Sequence, residues 1–193
     1  MEAENESIHY FDELYKNRGL ASQRAYPNES LIQFIAARFF SLAEEERNKI
    51  KILEIGCGSG ANLWMISKEG FKTYGLDSSE KGLEIAKYHL EKKWGVFANL
   101  QIGRFTDLPY DADFFDAVVD VVSLQHLALN DAETALKEVA RVLKPEGSFF
   151  SYRLSDHSIM YEKGKVIDFA TIENISDPNL PLANNGPVSF WSP

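Results

Sequence analysis

Three glycines in one short segment, ILEIGCGSGAN, are the feature of this chain best suited to chemistry. Gly56, Gly58 and Gly60 follow an apolar strand pattern and precede a helical pattern. Because glycine has no Cβ, the backbone can turn tightly there and a ligand can lie directly against it. The start of the following helix also offers backbone N–H groups without intrahelical partners. The segment predicts a loop that holds a small polar ligand, with the Cys57 thiol confined between two glycines and structural in role.

Two acidic residues lie beside this loop. Asp77 ends the second predicted strand, where a carboxylate can accept hydrogen bonds from both hydroxyls of a ribose; it can equally be an acid favoured by the next helix N-terminus. Glu54 precedes the first glycine by two residues, and a carboxylate there suits a ligand with an ammonium and a sulfonium better than a pyrophosphate. It can also simply bind loop amides. Gly56, Gly58 and Ala61 nonetheless satisfy the G-x-G-x-x-A pattern, so an NAD-binding oxidoreductase is an alternative.

A histidine and several N-terminal side chains are further candidates. His126 follows the fourth predicted strand, on the face where a substrate would sit, and a histidine there suits a general base. The alternative is a histidine that caps or packs against the next helix. Arg24 could bind a carboxylate or a phosphate. The residues that predict a lid over the site, or else an ordinary amphipathic helix and surface turn, are Tyr10, Tyr15, Arg24 and Tyr26.

Strand and helix patterns alternate along the middle of the chain, and these elements must position the candidate residues. Such alternation predicts an α/β fold, a doubly wound parallel sheet that binds ligands beyond the carboxyl ends of its strands. The predicted strands are Lys51–Ile55, Phe71–Leu76, Leu100–Gly103, Asp116–Val122 and Ser148–Arg153. The predicted helices are 8–18, Leu31–Leu42, Ala61–Lys68, Glu80–Lys92 and Ala132–Leu143.

Composition excludes several classes of function. The formal net charge of −9 disfavours nucleic acid as the main partner, because an acidic chain gains nothing from counterion release. The single cysteine forbids an intramolecular disulfide and a cysteine-rich zinc site, and the four histidines lack metal-ligand spacing, so we predict no metal. The N-terminus has no apolar signal run and no stretch is long enough to span a bilayer. We therefore expect a cytoplasmic protein without a membrane partner.

Four segments together resemble the class I S-adenosylmethionine (SAM)-dependent methyltransferases. ILEIGCGSG resembles their first motif, YGLDSS their acidic strand end, LPYDADFFDAVVDVVSLQHL the approach to their fourth strand, and EVARVLKPEGSFFS their last helix, turn and fifth strand. The order and spacing of all four agree, over roughly residues 50–153. SQRAYPNESLIQFI is also similar to the N-terminal segment of some bacterial small-molecule methyltransferases. The resemblance implies methyl transfer from SAM to a small molecule, with S-adenosylhomocysteine as product; a SAM-binding module without catalysis is a further alternative.

The resemblance also implies roles for individual residues. Glu54 would lie near the amino group of SAM, Asp77 would hold the ribose, and Ser78 would lie beside the adenine. The family often has an aspartate that contacts the adenine amine where this chain has Arg104. The backbone of Phe105 would then make that contact and its ring would pack beside the adenine. The alternative is that Phe105 is a simple core residue. The full set of cofactor-binding residues predicted in this way is Glu54, Gly56, Cys57, Gly58, Gly60, Asp77, Ser78, Arg104, Phe105 and Asp120.

The end of the chain departs from that family's seven-stranded sheet. We predict one domain, 1–193, with an N-terminal helical lid or cap over 1–45, a core over 50–153 and an irregular tail over 154–193. Only Lys165–Ile172 in the tail has strand or short-helix character. We expect five parallel strands in the order 3-2-1-4-5, without the last two. The fifth strand would then be an apolar edge, covered by the tail, by a second copy in a homodimer, or by a part of a longer protein.

Overall fold

The computed structural model describes residues 2–180, 182–183 and 185–191. Its strands are β1 (Lys51–Ile55), β2 (Lys72–Asp77), β3 (Asn99–Ile102), β4 (Phe115–Val121), β5 (Leu143–Tyr152), β6 (Lys165–Val166), β7 (Thr171–Glu173) and β8 (Val188–Ser189). Its α-helices are α1 (Glu2–Arg18), α2 (Glu29–Phe39), α3 (Glu44–Arg47), α4 (Leu63–Lys68), α5 (Glu80–Tyr88), α6 (Leu129–Val142) and α7 (Ile159–Glu162). Two short 3-10 turns, Gly19–Ser22 and Leu124–His126, and a π-helical turn, His89–Trp94, complete the order.

The predicted parallel sheet is confirmed, in the order β3-β2-β1-β4-β5. Its central strands β1 and β4 are buried along almost their whole length, which explains why their sequences are continuous apolar runs rather than alternating ones. Ile55 pairs with Leu76 of β2 and with Asp120 of β4. The carboxyl ends of the three strands therefore meet at one edge, and the loops that follow them lie side by side.

Helices cover both faces of the sheet. On one face, Leu31 and Ile35 of α2 pack with Ile66 of α4 against Val119 of β4. On the other face, the apolar side of α6 packs against Val118. Neighbouring β4 residues therefore point into two different hydrophobic cores, as the two-residue period of a strand requires.

The tail is not irregular, contrary to the prediction. After α7 it forms a second, antiparallel sheet in the order β6-β7-β8. A small hydrophobic core holds this sheet together, formed by Met160, Ile172, Ile175, Val188 and Phe190. Strands of two or three residues are too short to show a period, and β7 pairs with β8 across a loop rich in asparagine and proline. The local composition of the tail therefore predicted the loop between β7 and β8 but not the short strands on either side of it.

Strand β5 forms the outer edge of the large sheet. It begins at Leu143, five residues before the predicted start, because Pro145 cannot continue α6 and the chain becomes extended ahead of it. Within the described residues, β5 has strand pairing only with β4. The tail reaches just the end of this strand, where the Trp191 amide donates to the Leu154 carbonyl at 3.1 Å. The described part of the tail thus forms no strand pairing along β5, and the homodimer stays a prediction.

Candidate active site

A cavity of about 810 Å³, counting its open mouth, lies at the carboxyl edge of the large sheet under α1. Most of the predicted site residues line it. They are Tyr15, Arg24, Glu54, Gly56, Cys57, Asp77, Ser78, Arg104, Phe105 and His126. The topology of the sheet explains this gathering, because the loops after β1, β2, β3 and β4 all open at this edge.

The glycine loop has the backbone geometry for which glycine is required. Gly56, Gly58 and Gly60 have φ angles of 68°, 50° and 78°, a region that other L residues rarely adopt. A Cβ on Gly58 would lie 2.5 Å from the Tyr15 hydroxyl and from Gln23 Oε1, and one on Gly56 would meet the Ser123 side chain. Gly58 and Gly60 do not line the cavity themselves. Both shape the loop, and the missing Cβ of Gly58 leaves room for the Tyr15 and Gln23 side chains that lie over it.

Asp77 is the acid that joins the loop to β2. It is 8% exposed and lines the cavity. Its Oδ2 accepts from the Gly58 amide at 2.8 Å and its Oδ1 from the Ser79 amide at 2.9 Å. Burial raises the pKa of this carboxyl, and these backbone hydrogen bonds act in the opposite direction. Each carboxylate oxygen can accept more than one hydrogen bond, so Asp77 can still accept from hydroxyls of a ligand.

Glu54 carries an unsatisfied oxygen in this cavity. The side chain is 2% exposed, and Asn62 Nδ2 donates to its Oε1. Its Oε2 is buried and has no hydrogen-bond partner among the described residues. Burial raises the pKa of Glu54 to about 8, while the Asn62 hydrogen bond and the charge of Arg24 act in the opposite direction. An unsatisfied buried carboxyl oxygen is costly, and a cationic hydrogen-bond donor would satisfy it.

Arg24 and Asn62 complete a polar group around Glu54. Arg24 lines the cavity, and its Nη2 donates to Asn62 Oδ1 at 3.4 Å. The same oxygen accepts from the Asn28 amide at 2.9 Å, so the N-terminal segment is attached to the residue that follows the glycine loop. The arrangement places a guanidinium and a carboxyl at one end of the cavity, as a zwitterionic ligand would require.

Helix α1, the predicted lid, lines the cavity with Phe11 and Tyr15. Tyr15 is 2% exposed and lies over the glycine loop, and burial raises the pKa of its hydroxyl. The Ser79 hydroxyl donates to Asp12 at 2.7 Å, and the Ser7 hydroxyl donates to the His126 carbonyl at 3.4 Å. The lid is therefore attached to the loops after β2 and after β4.

Tyr10 and Tyr26 lie outside the cavity, which corrects the prediction for these two residues. Phe11 and Tyr15 are four positions apart on one face of α1 and line the cavity, so Tyr10 points away from it. Tyr26 is 65% exposed and its ring contacts Trp64 edge-on at 6.4 Å between centroids.

His126 lines the cavity, 8% exposed, but its surroundings disfavour the predicted general base. Its Nδ1 lies 3.2 Å from Asn185 Nδ2. The two buried side chains are therefore hydrogen-bonded to each other. Burial lowers the pKa of His126 to about 4, and an interaction with the Val122 backbone acts in the opposite direction. The ring is therefore a weak base.

Asp120 is the predicted cofactor residue that the structure places in a structural role. It is fully buried and is not among the residues lining the cavity. Its Oδ1 accepts from the Ser123 and Leu124 amides at 2.9 and 3.1 Å, and its Oδ2 accepts from the Ser151 hydroxyl at 2.7 Å. Burial raises its pKa, and the Ser151 hydrogen bond acts in the opposite direction. Asp120 holds the turn after β4 that carries His126.

The cavity is also lined by Ser78, Arg104 and Phe105. The Phe105 ring also packs against the hydrophobic core under α6, so it serves both the core and the cavity wall. Cys57 is buried in the loop, and its Sγ would lie 2.9 Å from a Cβ on Gly75. Burial raises the pKa of this thiol well above its usual value, as expected of a structural cysteine.

Sequence reasoning missed Gln23, Asn62 and Ser123. Asn62 is the last residue of the glycine segment, and a polar residue at a helix start was the signal that could have identified it. Gln23 and Ser123 lie in turns whose conformation no local pattern indicates. The described part of the chain contains no group of three histidine, cysteine or acidic side chains able to hold a metal ion. It also contains no helix that is both long and apolar enough to cross a membrane.

Comparison with known proteins agrees with this geometry. A sequence profile of the family described as "Methyltransferase domain" matches residues 53–151. The chain is 29% identical over 128 residues to the ubiquinone biosynthesis O-methyltransferase of Pelagibacter ubique, covering 65% of this chain and 49% of that protein. It is 32% identical over 130 residues to the sterol 24-C-methyltransferase of Pneumocystis carinii, covering 65% of this chain and 34% of that protein. The chain thus spans between a third and a half of the length of these curated relatives.

A solved structure shares the fold. A SAM-dependent methyltransferase from Methanosarcina mazei superposes with a TM-score of 0.60 over 74% of this chain and 73% of that one, at 22% identity. At this level of identity the likeness concerns the arrangement of strands and helices. The matched profile covers β1 to β5, the part of the sheet whose loops form the cavity.

Proposed function

The chain belongs to the methyltransferase domain family, and from that premise we propose that it binds SAM in the cavity under α1 and transfers the methyl group to a small-molecule acceptor. The observation that carries the proposal is the unpartnered Oε2 of Glu54, buried at the cavity wall. An α-ammonium group would satisfy this oxygen and restore the charge of the carboxylate. A pyrophosphate would instead lie close to two acids, Glu54 and Asp77, which disfavours a dinucleotide.

Each of the remaining cavity residues would contact a different part of SAM. Arg24, next to Glu54, would hold the carboxylate of the methionine part. Asp77 would accept hydrogen bonds from the ribose hydroxyls, and the Phe105 ring would pack beside the adenine. Arg104 lines this end in place of the family's usual aspartate, so backbone groups near Phe105 would take the adenine amine. These assignments are supported by the presence of all these side chains in the lining of the cavity.

Bound SAM would supply a methyl group that an acceptor takes in line, forming a bond to the methyl carbon while the carbon–sulfur bond breaks and its electrons stay on sulfur. The protein's part is positioning and exclusion of water. Phe11 and Tyr15 of α1 line the cavity and would shield part of it from solvent. The reaction would not depend on His126 as a base. This favours an acceptor atom that is already nucleophilic or loses its proton to water.

Two features support a small acceptor. The attached α1 leaves little room for a macromolecule to approach the glycine loop, and the net charge of −9 opposes nucleic acid. Two relatives are named for ubiquinone biosynthesis and for a sterol, both small apolar molecules.

Calorimetric titration tests the proposal. We expect S-adenosylhomocysteine to bind with one site per chain and NADH not to bind. Binding of NADH without S-adenosylhomocysteine would overturn the proposal in favour of the oxidoreductase alternative. If S-adenosylhomocysteine binds but a panel of phenol, thiol and amine acceptors yields no methylated product, the chain is a SAM-binding module and the proposed catalysis is wrong.

A further inference from the structure

Two tryptophans stack face to face next to the glycine loop. Trp64 lies on α4 and Trp94 ends the π-helical turn, with ring centroids 3.8 Å apart and planes 6° from parallel. Neither ring is among the described residues that line the cavity. The pair is therefore not a direct part of the ligand site, and its contacts on each side indicate another role.

His89 connects one side of the pair to the glycine loop. The Trp94 indole N–H donates to His89 Nε2 at 3.0 Å, so this nitrogen is the acceptor. The neutral ring then carries its proton on Nδ1, which lies 3.0 Å from the Ser59 carbonyl in the loop. The His89 side chain is 1% exposed. One buried imidazole thus links Trp94 to the backbone between Gly58 and Gly60.

Trp64 connects the other side of the pair to the N-terminal segment 23–28. Its indole N–H donates to the Ala25 carbonyl at 3.3 Å. On one side of Ala25, Arg24 enters the cavity and donates to Asn62. On the other side, the Tyr26 ring contacts both tryptophans edge-on. This packing explains why Tyr26 lies outside the cavity.

We propose that His89, Trp94 and Trp64 are positioning residues that hold segment 23–28 against the glycine loop, so that Arg24 stays at the cofactor end of the cavity. The inference rests on the proposed function, since Arg24 is assigned to the carboxylate of SAM. None of the three positioning residues needs to touch the ligand. Their contribution is to keep the arginine and the loop in one arrangement before the ligand arrives, which lowers the ordering cost of binding.

Substitutions at these positions, followed by titration with S-adenosylhomocysteine, test the proposal. Trp94→Phe keeps a stacking ring but removes the donor to His89, and His89→Leu removes both hydrogen bonds. We expect each to weaken binding about tenfold. His89→Gln can still donate to one partner and accept from the other, and should stay within about threefold of the parent protein. Trp191→Phe, in the tail, is the matched control and should leave the affinity unchanged.

A double-mutant cycle separates positioning from general stability. If the three residues act through Arg24, adding Trp94→Phe to Arg24→Ala will weaken binding little beyond Arg24→Ala alone. Additive losses would overturn the proposal, because they would show that Trp94 acts independently of Arg24. Equal losses in Trp191→Phe and Trp94→Phe would also overturn it.

Limited proteolysis provides a readout without the cofactor. Trypsin can cleave after Arg24, and we expect faster cleavage there in Trp94→Phe and His89→Leu than in His89→Gln or Trp191→Phe. Unchanged cleavage in all variants would contradict the positioning role. If the parent protein failed to bind S-adenosylhomocysteine, the proposed function would be wrong, while the cleavage pattern would still decide whether these residues hold the segment.

Discussion

The backbone amide of Gly58 donates a 2.8 Å hydrogen bond to Oδ2 of Asp77, which joins the glycine loop to the acidic end of β2. The bond crosses from the loop after β1 to the strand beside it, and it is made inside the protein without any ligand. The loop and the acid are therefore held together before a nucleoside arrives, so that little reorganisation is needed on binding.

Replacing Asp77 tests its role toward the ribose. Asp77→Asn keeps a carbonyl acceptor for the Gly58 amide but loses the charge-assisted hydrogen bonds to hydroxyls. At about 1.5–3 kcal/mol for such a bond, we expect S-adenosylhomocysteine to bind roughly ten- to a hundredfold more weakly. Calorimetry measures the affinity, with Glu133→Gln on the exposed face of α6 as the control. Unchanged affinity in folded Asp77→Asn would remove Asp77 from the site.

Substituting two glycines with nearly equal φ angles distinguishes the effect of backbone strain from the effect of close packing over the glycine loop. Gly58 has φ 50° and Gly19 has φ 53°, but a Cβ on Gly19 would meet nothing within 4 Å. Gly19→Ala should lower the free energy of unfolding by about 1 kcal/mol through strain alone and leave the affinity for S-adenosylhomocysteine unchanged. Gly58→Ala should lower both the free energy of unfolding and the affinity for S-adenosylhomocysteine, because the Tyr15 and Gln23 side chains must move to make room for the Cβ. Similar affinities in the two variants would show that the close packing over Gly58 does not matter.

The buried Glu54 predicts that ligand binding releases a proton. Burial raises its pKa to about 8, so the side chain holds a proton at pH 7 that an adjacent ammonium would displace. Proton release makes binding tighter as the pH rises toward 8, by up to about tenfold between pH 6 and pH 7, where the ligand's own amine stays charged. Titrations at both pH values check this. Glu54→Gln should abolish the difference, and a pH-independent affinity in the parent protein would contradict the pairing.

The Cys57 thiol is predicted to be dispensable for binding. It is buried, and burial keeps its pKa high, so it is neither a nucleophile nor a charged contact. Cys57→Ala should bind S-adenosylhomocysteine within a few fold of the parent protein, and the folded parent should resist alkylation by iodoacetamide. Complete loss of binding in a variant with an unchanged circular dichroism spectrum would show that the thiol contributes directly.

The sequence was sufficient to predict the sheet and the loop edge. β1 and β4 are continuous apolar runs between glycine and acidic residues, a pattern that belongs to buried parallel strands. Given parallel strands, residues at their carboxyl ends must meet, and Glu54, Gly56 and Asp77 do so. A position at the end of a strand did not show whether a side chain lines the cavity or binds a neighbouring turn. Asp120 ends its strand in the same way but binds the turn after β4.

Contacts between segments far apart in the chain could not be predicted from local sequence patterns. Ala25 meets Trp64, and Asn185 meets His126, through chain segments whose conformation depends on the finished fold. The pKa of His126 is low because this side chain is buried. No local sequence pattern shows that burial. The tail sheet has strands of only two or three residues, and its stability comes from a shared apolar core rather than from local propensity.

The most direct test of the account is a crystal structure of the protein with S-adenosylhomocysteine. We predict the ligand in the cavity under α1, its ammonium within hydrogen-bonding distance of Glu54 Oε2, its carboxylate on Arg24 and its ribose hydroxyls on Asp77. A ligand bound elsewhere, or one in the cavity with its amine away from Glu54, would contradict the central claim that this carboxyl is the recognition point for SAM.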